Sequence, residues 1–218
     1  MTNLEILYED NHIIVVVKKP NILSQADNTH DIDMLTLIKS YLKEKYQKPG
    51  NVYLGLVHRL DRPVGGVMVF AKTSKAASRL SDQIREGKMH KSYYAVVKGY
   101  LNEKQGTFKD KLEKCENKKV LLNTPNGKDA VLNYKVIEEK DNLSLMDIDL
   151  ITGRFHQIRV QFSSRNHPLY GDQLYGDQDK KQIALFAYKL SFLHPTTKEQ
   201  LTFERKPDGE IWQKFTQR

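Results

Sequence analysis

The stretch LGLVHRLDRPVGGVMVFA, residues 54–71, places a polar loop between two short apolar runs. The runs Leu54–Val57 and Val67–Ala71 are typical of buried β-strands, whereas the proline and the paired glycines between them fit neither a strand nor a helix. Gly65 and Gly66 permit a positive φ and leave room for a close approach to the backbone. The stretch therefore predicts a sheet protein with a candidate site in this loop, because loops held between buried strands often carry function.

Further elements are predicted on both sides of this loop. One helix is capped by Asp31 or Asp33 and runs to about residue 47, and a second is capped by Thr73 or Ser74. A polar, Lys-rich and weakly patterned segment at 101–127 is expected to be an excursion from the core. Other strands are predicted at 4–8 and 13–17, which form an antiparallel hairpin, and at 91–99, 130–137, 143–151, 183–192 and 200–203, with a helix at 154–164.

The order of these elements defines the expected fold class. Hydrophobic residues make up 39% of the chain and recur in periodic runs, which excludes disorder for most of it. No internal repeat and no linker interrupts the pattern. We therefore predict a single domain over residues 1–218, of the α+β class, with a mixed, mostly antiparallel sheet and flanking helices.

Composition excludes several classes of protein. No apolar run approaches the ~20 residues that span a bilayer, and the first ten residues are acidic where a signal peptide would be basic. The single cysteine, Cys115, forms no internal disulfide and fits a reducing compartment. We expect a cytoplasmic protein that does not bind membranes.

The charge balance favours a polyanionic partner. Lys and Arg number 35 against 27 Asp and Glu, which gives a formal net charge of +8. Four arginines lie beside His, Asp or Gly in predicted loops, a setting suited to phosphate or base recognition: Arg59, Arg62, Arg154 and Arg159. The alternative is an ordinary basic surface in contact with solvent.

Two segments carry the strongest chemical patterns. In the first, His58 to Arg62, Asp61 lies between two arginines that favour its ionised form, and the alternative is a surface ion pair. The second, 153–159, lies where a strand meets a helix, which suits either an anion site or an ordinary helix cap. Arg159 is expected to border the interior and to reach a carboxylate on a neighbouring element.

Metal and nucleotide cofactors are not expected. A metal site built from histidines and Asp172 is conceivable, but no spacing typical of metal ligands occurs among His58, His156, His167 and His194. No Gly-rich phosphate loop is present. Tyr93 and Tyr94 are interpreted by default as strand residues that pack on the two faces of a sheet.

These segments together resemble the RluA/RsuA-type RNA pseudouridine synthases. The resemblance covers His58-Arg59-Leu60-Asp61 with Gly66, the strand KSYYAVVKG at 91–99, the segment TGRFHQIR at 152–159, and HPLYGD at 167–172 with Tyr175-Gly176. Residues 9–20 and Leu193-His194-Pro195 fit as well. The chain departs at Val64-Gly65-Gly66, where many members have Thr-Ser-Gly. Because the pattern begins at about residue 4, a minimal form without a preceding S4-type domain is expected.

The resemblance implies a role for individual residues. Asp61 would be the essential catalytic aspartate, Tyr93 the tyrosine against which the target base packs, and Arg159 the arginine paired with Asp61. Arg59 would enter the RNA stack as the uridine is flipped. Further RNA contacts are expected from the remaining motif residues, namely His58, Arg62, Arg154, His156 and Gln157. The family fold also implies a central catalytic cleft.

The implied activity is the isomerisation of uridine to pseudouridine in structured RNA, either ribosomal or transfer RNA, by a monomer that needs no cofactor. The sequence leaves open whether Asp61 attacks C1′, attacks the base or abstracts the C2′ proton. Two alternatives remain at this stage. One is a non-catalytic RNA-binding module that uses the same basic surface, and the other is a metal-dependent phosphodiester hydrolase.

Overall fold

The structure is a computed structural model that describes residues 4–115, 120–176 and 181–215. By contacts the chain divides into two compact units, each made of two separate stretches. The first comprises Met1–His90 and Ala187–Arg205, and the second comprises Lys91–Phe186 and Lys206–Arg218. The prediction of one catalytic domain over the whole chain stays a prediction.

The described residues form β-strands and short α-helices in the following order. These are β1 Glu5–Glu9, β2 Ile13–Lys18, α1 Met34–Lys45, β3 Gly55–Leu56, β4 Gly65–Ala71, α2 Ser74–Arg85, β5 His90–Lys98, β6 Gln105–Lys114, β7 Val120–Leu122, β8 Lys128–Lys140, β9 Leu143–Leu150, α3 Gln157–Ser163, β10 Leu185–Leu193, β11 Gln200–Glu204 and α4 Glu210–Gln213. No helix among them is long and apolar enough to cross a membrane.

In the first unit β2 pairs with β1 on one side and with β4 on the other, in both cases antiparallel. The predicted hairpin and the existence of a strand on each side of the polar loop are thus confirmed, since β3 also pairs with β4. The bounds differ, because β3 is only Gly55–Leu56 and β4 begins at Gly65. The expectation that the paired glycines lie outside a strand is wrong, since Gly66 pairs with Lys18 of β2. Every residue of β2 and β4 is buried, as expected for strands covered on both faces. Apolar side chains of these strands and of the end of β10 form a common core that includes Val15, Val69 and Phe192.

The two long helices of the first unit begin at the predicted caps. The Asp33 side chain accepts a hydrogen bond from the Thr36 N–H, and the Thr73 side chain accepts one from Ala76. Each bond satisfies a backbone donor that the first helical turn leaves without a partner. Because Asp33 and Thr73 fix where α1 and α2 begin, the choice that the sequence left open is settled in both cases.

The second unit is an antiparallel sheet in the order β5-β9-β8-β6-β7. The excursion predicted at 101–127 is wrong for the described residues of this range, because β6 pairs with β8 over Gln105–Leu112 and β7 pairs with β6. Residues 116–119 of the predicted range lie outside the described residues. Its sequence is polar because alternate residues of β6 face solvent while Phe108 and Leu112 point into the core. The ring of Phe108 packs edge-on against Phe162 at 5.0 Å.

The helix predicted at 154–164 is shorter than expected. Residues 152–156 lie outside the helix, with a turn at Phe155 and His156, and α3 begins only at Gln157 because His156 adopts a left-handed φ of 53°. Within this segment the Arg154 N–H donates to the side chain of Gln157. The fold class itself, α+β with mostly antiparallel strands and flanking helices, is confirmed.

Candidate active site

The segment between β3 and β4, residues 57–64, is called the Asp61 loop. Its backbone is fixed on both sides of the aspartate. Ser24 Oγ donates to the Leu60 carbonyl at 2.8 Å and accepts from the Leu60 N–H at 3.1 Å. The Asn21 N–H donates to the Arg62 carbonyl at 2.8 Å, and the Val64 N–H donates to the Asp61 carbonyl at 3.0 Å. The loop therefore holds the aspartate with hydrogen bonds to its backbone and leaves its half-buried side chain at the surface.

A buried lysine at the end of β2 supports the same loop. Lys18 is 0% exposed, and its Nζ donates to the carbonyls of Val64 at 2.7 Å, Arg62 at 3.0 Å and Lys19 at 3.3 Å. Burial lowers the pKa of Lys18 to about 7, the Asp61 carboxylate opposes that shift, and the Arg62 cation adds to it. Lys18 thus contributes both hydrogen bonds and charge to the loop.

The other polar side chains of the loop point in different directions. Arg59 is exposed, and so is Arg62, whose guanidinium pairs with Asp31 at 2.7 Å. His58 Nε2 accepts a hydrogen bond from the Val69 N–H at 3.1 Å, which joins the start of the loop to β4. Arg62 thus forms a surface ion pair with Asp31, and the alternative in which Asp61 itself is a surface ion pair stays a prediction.

In the second unit, the turn that precedes α3 is organised by Gln157. Its Oε1 accepts from Thr152 Oγ1 at 2.9 Å and from the Arg154 N–H at 3.0 Å. The Arg154 side chain is exposed and its Nε donates to the Asp129 carbonyl at 2.8 Å. Gln157 is only 2% exposed, which favours a role in shaping the turn. Its predicted contact with RNA stays a prediction.

Arg159 reaches a carboxylate, as the sequence predicted from its position beside Ile158. Its Nε and Nη2 donate to the two carboxylate oxygens of Asp172, each at 2.8 Å. Both side chains are buried, at 7% and 0% exposure. The Asp172 Oδ1 also accepts from the backbone of Leu174 and Tyr175, so one carboxylate holds both the arginine and the turn at 172–176.

Aromatic residues surround this ion pair. Arg159 lies over the Tyr175 ring at 5.2 Å, and Tyr175 Oη is 2.9 Å from His156 Nδ1. The His156 ring stacks on Phe155 at 3.8 Å, and Lys114 Nζ lies 4.6 Å from the centre of the Phe155 ring. Among the described residues of the second unit this is a compact aromatic and cationic cluster, and planar groups of this kind stack well on nucleic-acid bases.

The remaining predicted residues are placed as follows. Tyr93 is 6% exposed on β5 and lies opposite Ile148 in the sheet, which agrees with its default interpretation as a packing residue. His167 Nδ1 is 2.9 Å from the Lys98 carbonyl, and His194 Nε2 is 2.8 Å from Asp10. The Asp61 loop belongs to the first unit, and Tyr93 and Arg159 belong to the second. The pairing of Arg159 with Asp61 and the stacking role of Tyr93 stay predictions.

Sequence reasoning missed two supporting residues. Lys18 lies just beyond the strand predicted at 13–17, although it continues an unbroken buried run of five apolar residues from Ile13 to Val17. Ser24 lies in an irregular segment with no local pattern, and its partner Leu60 is 36 residues away. A lysine that extends a strand buried on both faces is a sequence signal for a supporting residue. No sequence pattern predicts the contact of Ser24 with Leu60.

The fold and the two motif segments define a class of protein, the RNA pseudouridine synthases, which are isomerases. The sequence profile described as RNA pseudouridylate synthase matches residues 12–164, which include both the Asp61 loop and the turn before α3. This match spans more than half of the chain. The chain belongs to the RNA pseudouridylate synthase family.

Relatives in bacteria agree with this assignment. A Bacillus subtilis (strain 168) protein named as an uncharacterized RNA pseudouridine synthase is 35% identical over 207 residues, which cover 92% of this chain and 68% of that protein. Ribosomal large subunit pseudouridine synthase D of Zymomonas mobilis is 32% identical, with coverage of 92% and 68%. Ribosomal large subunit pseudouridine synthase C of Vibrio vulnificus is 30% identical, over 97% of this chain and 68% of that protein.

Solved structures show the same fold. Human RNA Pseudouridylate Synthase Domain Containing 4 superposes with a TM-score of 0.78 at 22% sequence identity, over 93% of this chain and 88% of that one. Human RNA Pseudouridylate Synthase Domain Containing 1 gives a TM-score of 0.74 at 23% identity, over 94% and 84%.

Proposed function

We propose that this chain converts specific uridines of structured RNA to pseudouridine, with Asp61 as the essential catalytic aspartate. The observation that carries the proposal is the support of the Asp61 loop. Backbone groups on both sides of Asp61 are bound by Ser24, Asn21 and Lys18, while the carboxylate itself stays half-buried. Supporting bonds of this kind hold a reacting group in one geometry.

The chemistry suits a fixed carboxylate. The reaction breaks the N1–C1′ bond, joins C1′ to C5 of the rotated base, moves a proton from C5 and restores one at N1, so the product is an isomer of the substrate. Positive charge develops on the ribose as the glycosidic bond breaks, and an ionised carboxylate stabilises that charge or forms a covalent intermediate. No oxidant, reductant or energy source enters the balance.

A stacked uridine must first leave the RNA helix or loop, at a cost of a few kcal/mol. Arg59 is exposed in the Asp61 loop, which supports its proposed entry into the RNA stack. Exposed Arg62 and Arg154 support contacts with phosphate, and the cluster of Phe155, His156 and Tyr175 supports contact with RNA. The proposed contacts of His58 and Gln157 would act through the backbone segments that they hold.

Ribosomal RNA is the first substrate to test, with transfer RNA as the second. Two relatives that cover at least nine tenths of this chain are named as synthases of the large ribosomal subunit. Comparing the pseudouridine content of both RNA classes from cells with and without the gene would identify the target. The predicted cytoplasmic location and monomeric state belong to the same proposal and can be measured on the purified protein and by cell fractionation.

The test of Asp61 compares Asp61→Asn with Asp31→Asn, which neutralises the exposed partner of Arg62. Tritium release from C5-labelled uridine RNA is measured in single turnover, and RNA affinity and melting temperature are measured beside it. We expect Asp61→Asn to abolish release with little change in affinity, whereas Asp31→Asn keeps nearly full activity. Substantial release by Asp61→Asn would remove the aspartate from the catalytic role.

Two further arms separate the alternatives. A wild-type protein that binds RNA without tritium release would support the non-catalytic RNA-binding module. Excess EDTA, applied with a short stem-loop that stays folded in monovalent salt, should leave the rate unchanged, and full loss of activity would instead favour a metal-dependent enzyme.

A further inference from the structure

Lys18 is the residue of β2 whose burial has the largest desolvation cost. It is fully buried at the end of β2, where the five preceding residues are all apolar. An ammonium group loses its hydration on burial, and the strand gains no packing from it that a methionine would not supply. The reason for a lysine at this position therefore lies in what its Nζ touches.

Those contacts are all carbonyl oxygens around the Asp61 loop. Arg62 directly follows Asp61, Val64 ends the loop before β4, and Lys19 follows Lys18 itself. A protonated lysine has three N–H donors, one for each carbonyl, whereas a neutral amine has two. Protonated Lys18 thus matches the three acceptors in number.

We propose that Lys18 is a positioning residue whose buried ammonium group fixes the backbone that follows Asp61 and places a positive charge next to the Asp61 carboxylate. This rests on the proposed function, in which Asp61 is catalytic. Lys18 itself is enclosed by protein and is not required to touch RNA. Its effect reaches the reaction through the orientation and the ionised state of Asp61.

The proposal makes the activity depend on pH. The charged groups that act on Lys18 are Asp61 and Arg62, and the pKa of Lys18 is lowered to about 7. As pH rises through this value, Lys18 loses one donor and its charge. The rate on bound RNA should then fall on the alkaline side, while affinity for RNA stays nearly constant because no RNA-contacting group has changed.

The ionisation of Lys18 should also change the free energy of unfolding, which is measured without RNA. The pKa of an unfolded lysine is ~10.4, so between about pH 7 and pH 10 the unfolded chain carries one more proton at this position than the folded protein. Stability should therefore rise with pH in this window, and the unfolding equilibrium constant should fall by up to about tenfold per pH unit. Below about pH 7 Lys18 contributes no further change.

The experiment compares Lys18→Met with Lys19→Met, which removes the same charge from the exposed neighbour. Urea unfolding is measured from pH 6 to 9, and single-turnover tritium release at saturating RNA over the same range. We expect Lys18→Met to lose the pH-dependent rise in stability, to react about tenfold or more slowly, to show no alkaline fall in rate, and to bind RNA within about twofold of wild type. Lys19→Met should keep the wild-type pH profile.

Several outcomes would overturn the proposal. One is a folded Lys18→Met protein with the rate and pH profile of wild type, and another is an equal loss of rate in Lys19→Met. If Lys18→Met does not fold, the wild-type curves decide, and a rate or a stability that is flat from pH 7 to 9 counts against the proposal. An active Asp61→Asn protein would refute the proposed function separately, since the unfolding data test the ionisation of Lys18 without any activity.

Discussion

Arg159 and Asp172 are joined by two hydrogen bonds of 2.8 Å between buried side chains. The pair connects α3 to the turn at 172–176, because the Asp172 carboxylate also accepts from the Leu174 and Tyr175 N–H groups. Tyr175 is thereby held against His156. A single buried carboxylate therefore organises two of the segments by which the family resemblance was identified.

The first prediction concerns the cost of removing this carboxylate. Asp172→Ala should destabilise the protein by about 3 kcal/mol or more, because it takes a bidentate acceptor from a buried guanidinium. Asp31→Ala removes an aspartate from an exposed pair with Arg62 and should cost less than about 1 kcal/mol. Urea unfolding of both variants at pH 7 measures the difference. Equal losses would show that burial does not decide the strength of the Arg159 pair.

Local spacing predicted that Arg159 reaches a carboxylate, but it did not identify Asp172 as a partner. Periodicity places Arg159 next to a buried position on a helix, and this depends only on local spacing. The partner lies 13 residues away, beyond a turn, and its choice depends on how the chain folds back. The shorter α3 was also not predictable from spacing, because it depends on the left-handed φ of His156, which places the first helical residue at Gln157.

The strands also show that a local sequence window identifies some elements and misses others. Ile13–Val17 of β2 and Val67–Ala71 of β4 are apolar throughout, so composition alone identified these two strands. The strand β6 was missed because only Phe108 and Leu112 are buried and three of its other residues are lysines. Its identity as a strand depends on pairing with β8 and on packing against Phe162, and neither is visible in a local window.

The second prediction concerns acid stability. Burial alone would raise the pKa of Glu9, but hydrogen bonds from Lys45, Lys72, Tyr46 and Tyr41 lower it to about 2. A lowered pKa stabilises the folded protein above the unfolded value of ~4.3, and this contribution is lost as pH falls towards 2. Glu9→Gln should therefore reduce stability at pH 7, by about 1–2 kcal/mol, and should flatten its fall between pH 5 and pH 2.

Glu44→Gln is the matched control for this measurement, since Glu44 is exposed on α1 and loses the same charge. Unfolding by urea at half-unit pH steps gives both curves. A Glu9→Gln curve that is parallel to wild type down to pH 2 would contradict the contribution of the Glu9 network.

The third prediction follows from the proposed role of Arg59 in displacing the uridine from the RNA stack. Arg59→Ala should slow single-turnover isomerisation in a stem-loop by about tenfold or more, because no side chain then offsets the cost of extruding the base. The loss should be smaller in a linear RNA whose uridine is unstacked. Lys39→Ala removes one positive charge from the exposed face of α1 and serves as control.

The comparison also separates base displacement from simple attraction to phosphate. Loss of one phosphate contact would weaken binding of both RNAs and reduce the slope of log affinity against log salt by roughly 0.7–0.9. If Arg59→Ala slowed both RNAs equally and changed only this slope, the insertion role would be refuted in favour of a phosphate contact.

The last prediction concerns the glycine where the Asp61 loop enters β4. Gly66 has a φ of 141°, and a Cβ at this position would lie 2.5 Å from the Ala187 Cβ and 2.6 Å from the Ala187 nitrogen. Both the backbone conformation and the close approach of β10 therefore require glycine. Gly66→Ala should cost about 3 kcal/mol or more or should prevent folding, since backbone atoms cannot move aside as a flexible side chain does.

Gly50→Ala makes the same chemical change where no atom lies within 4 Å of the added Cβ. It should change stability by less than about 1 kcal/mol, and in the stabilising direction if the unfolded chain loses more freedom than the folded one. Yield of soluble protein and urea unfolding of both variants give the comparison. If Gly66→Ala were as stable as Gly50→Ala, the close packing of β4 against β10 beside the Asp61 loop would be refuted, and with it the reason that the loop ends in glycine.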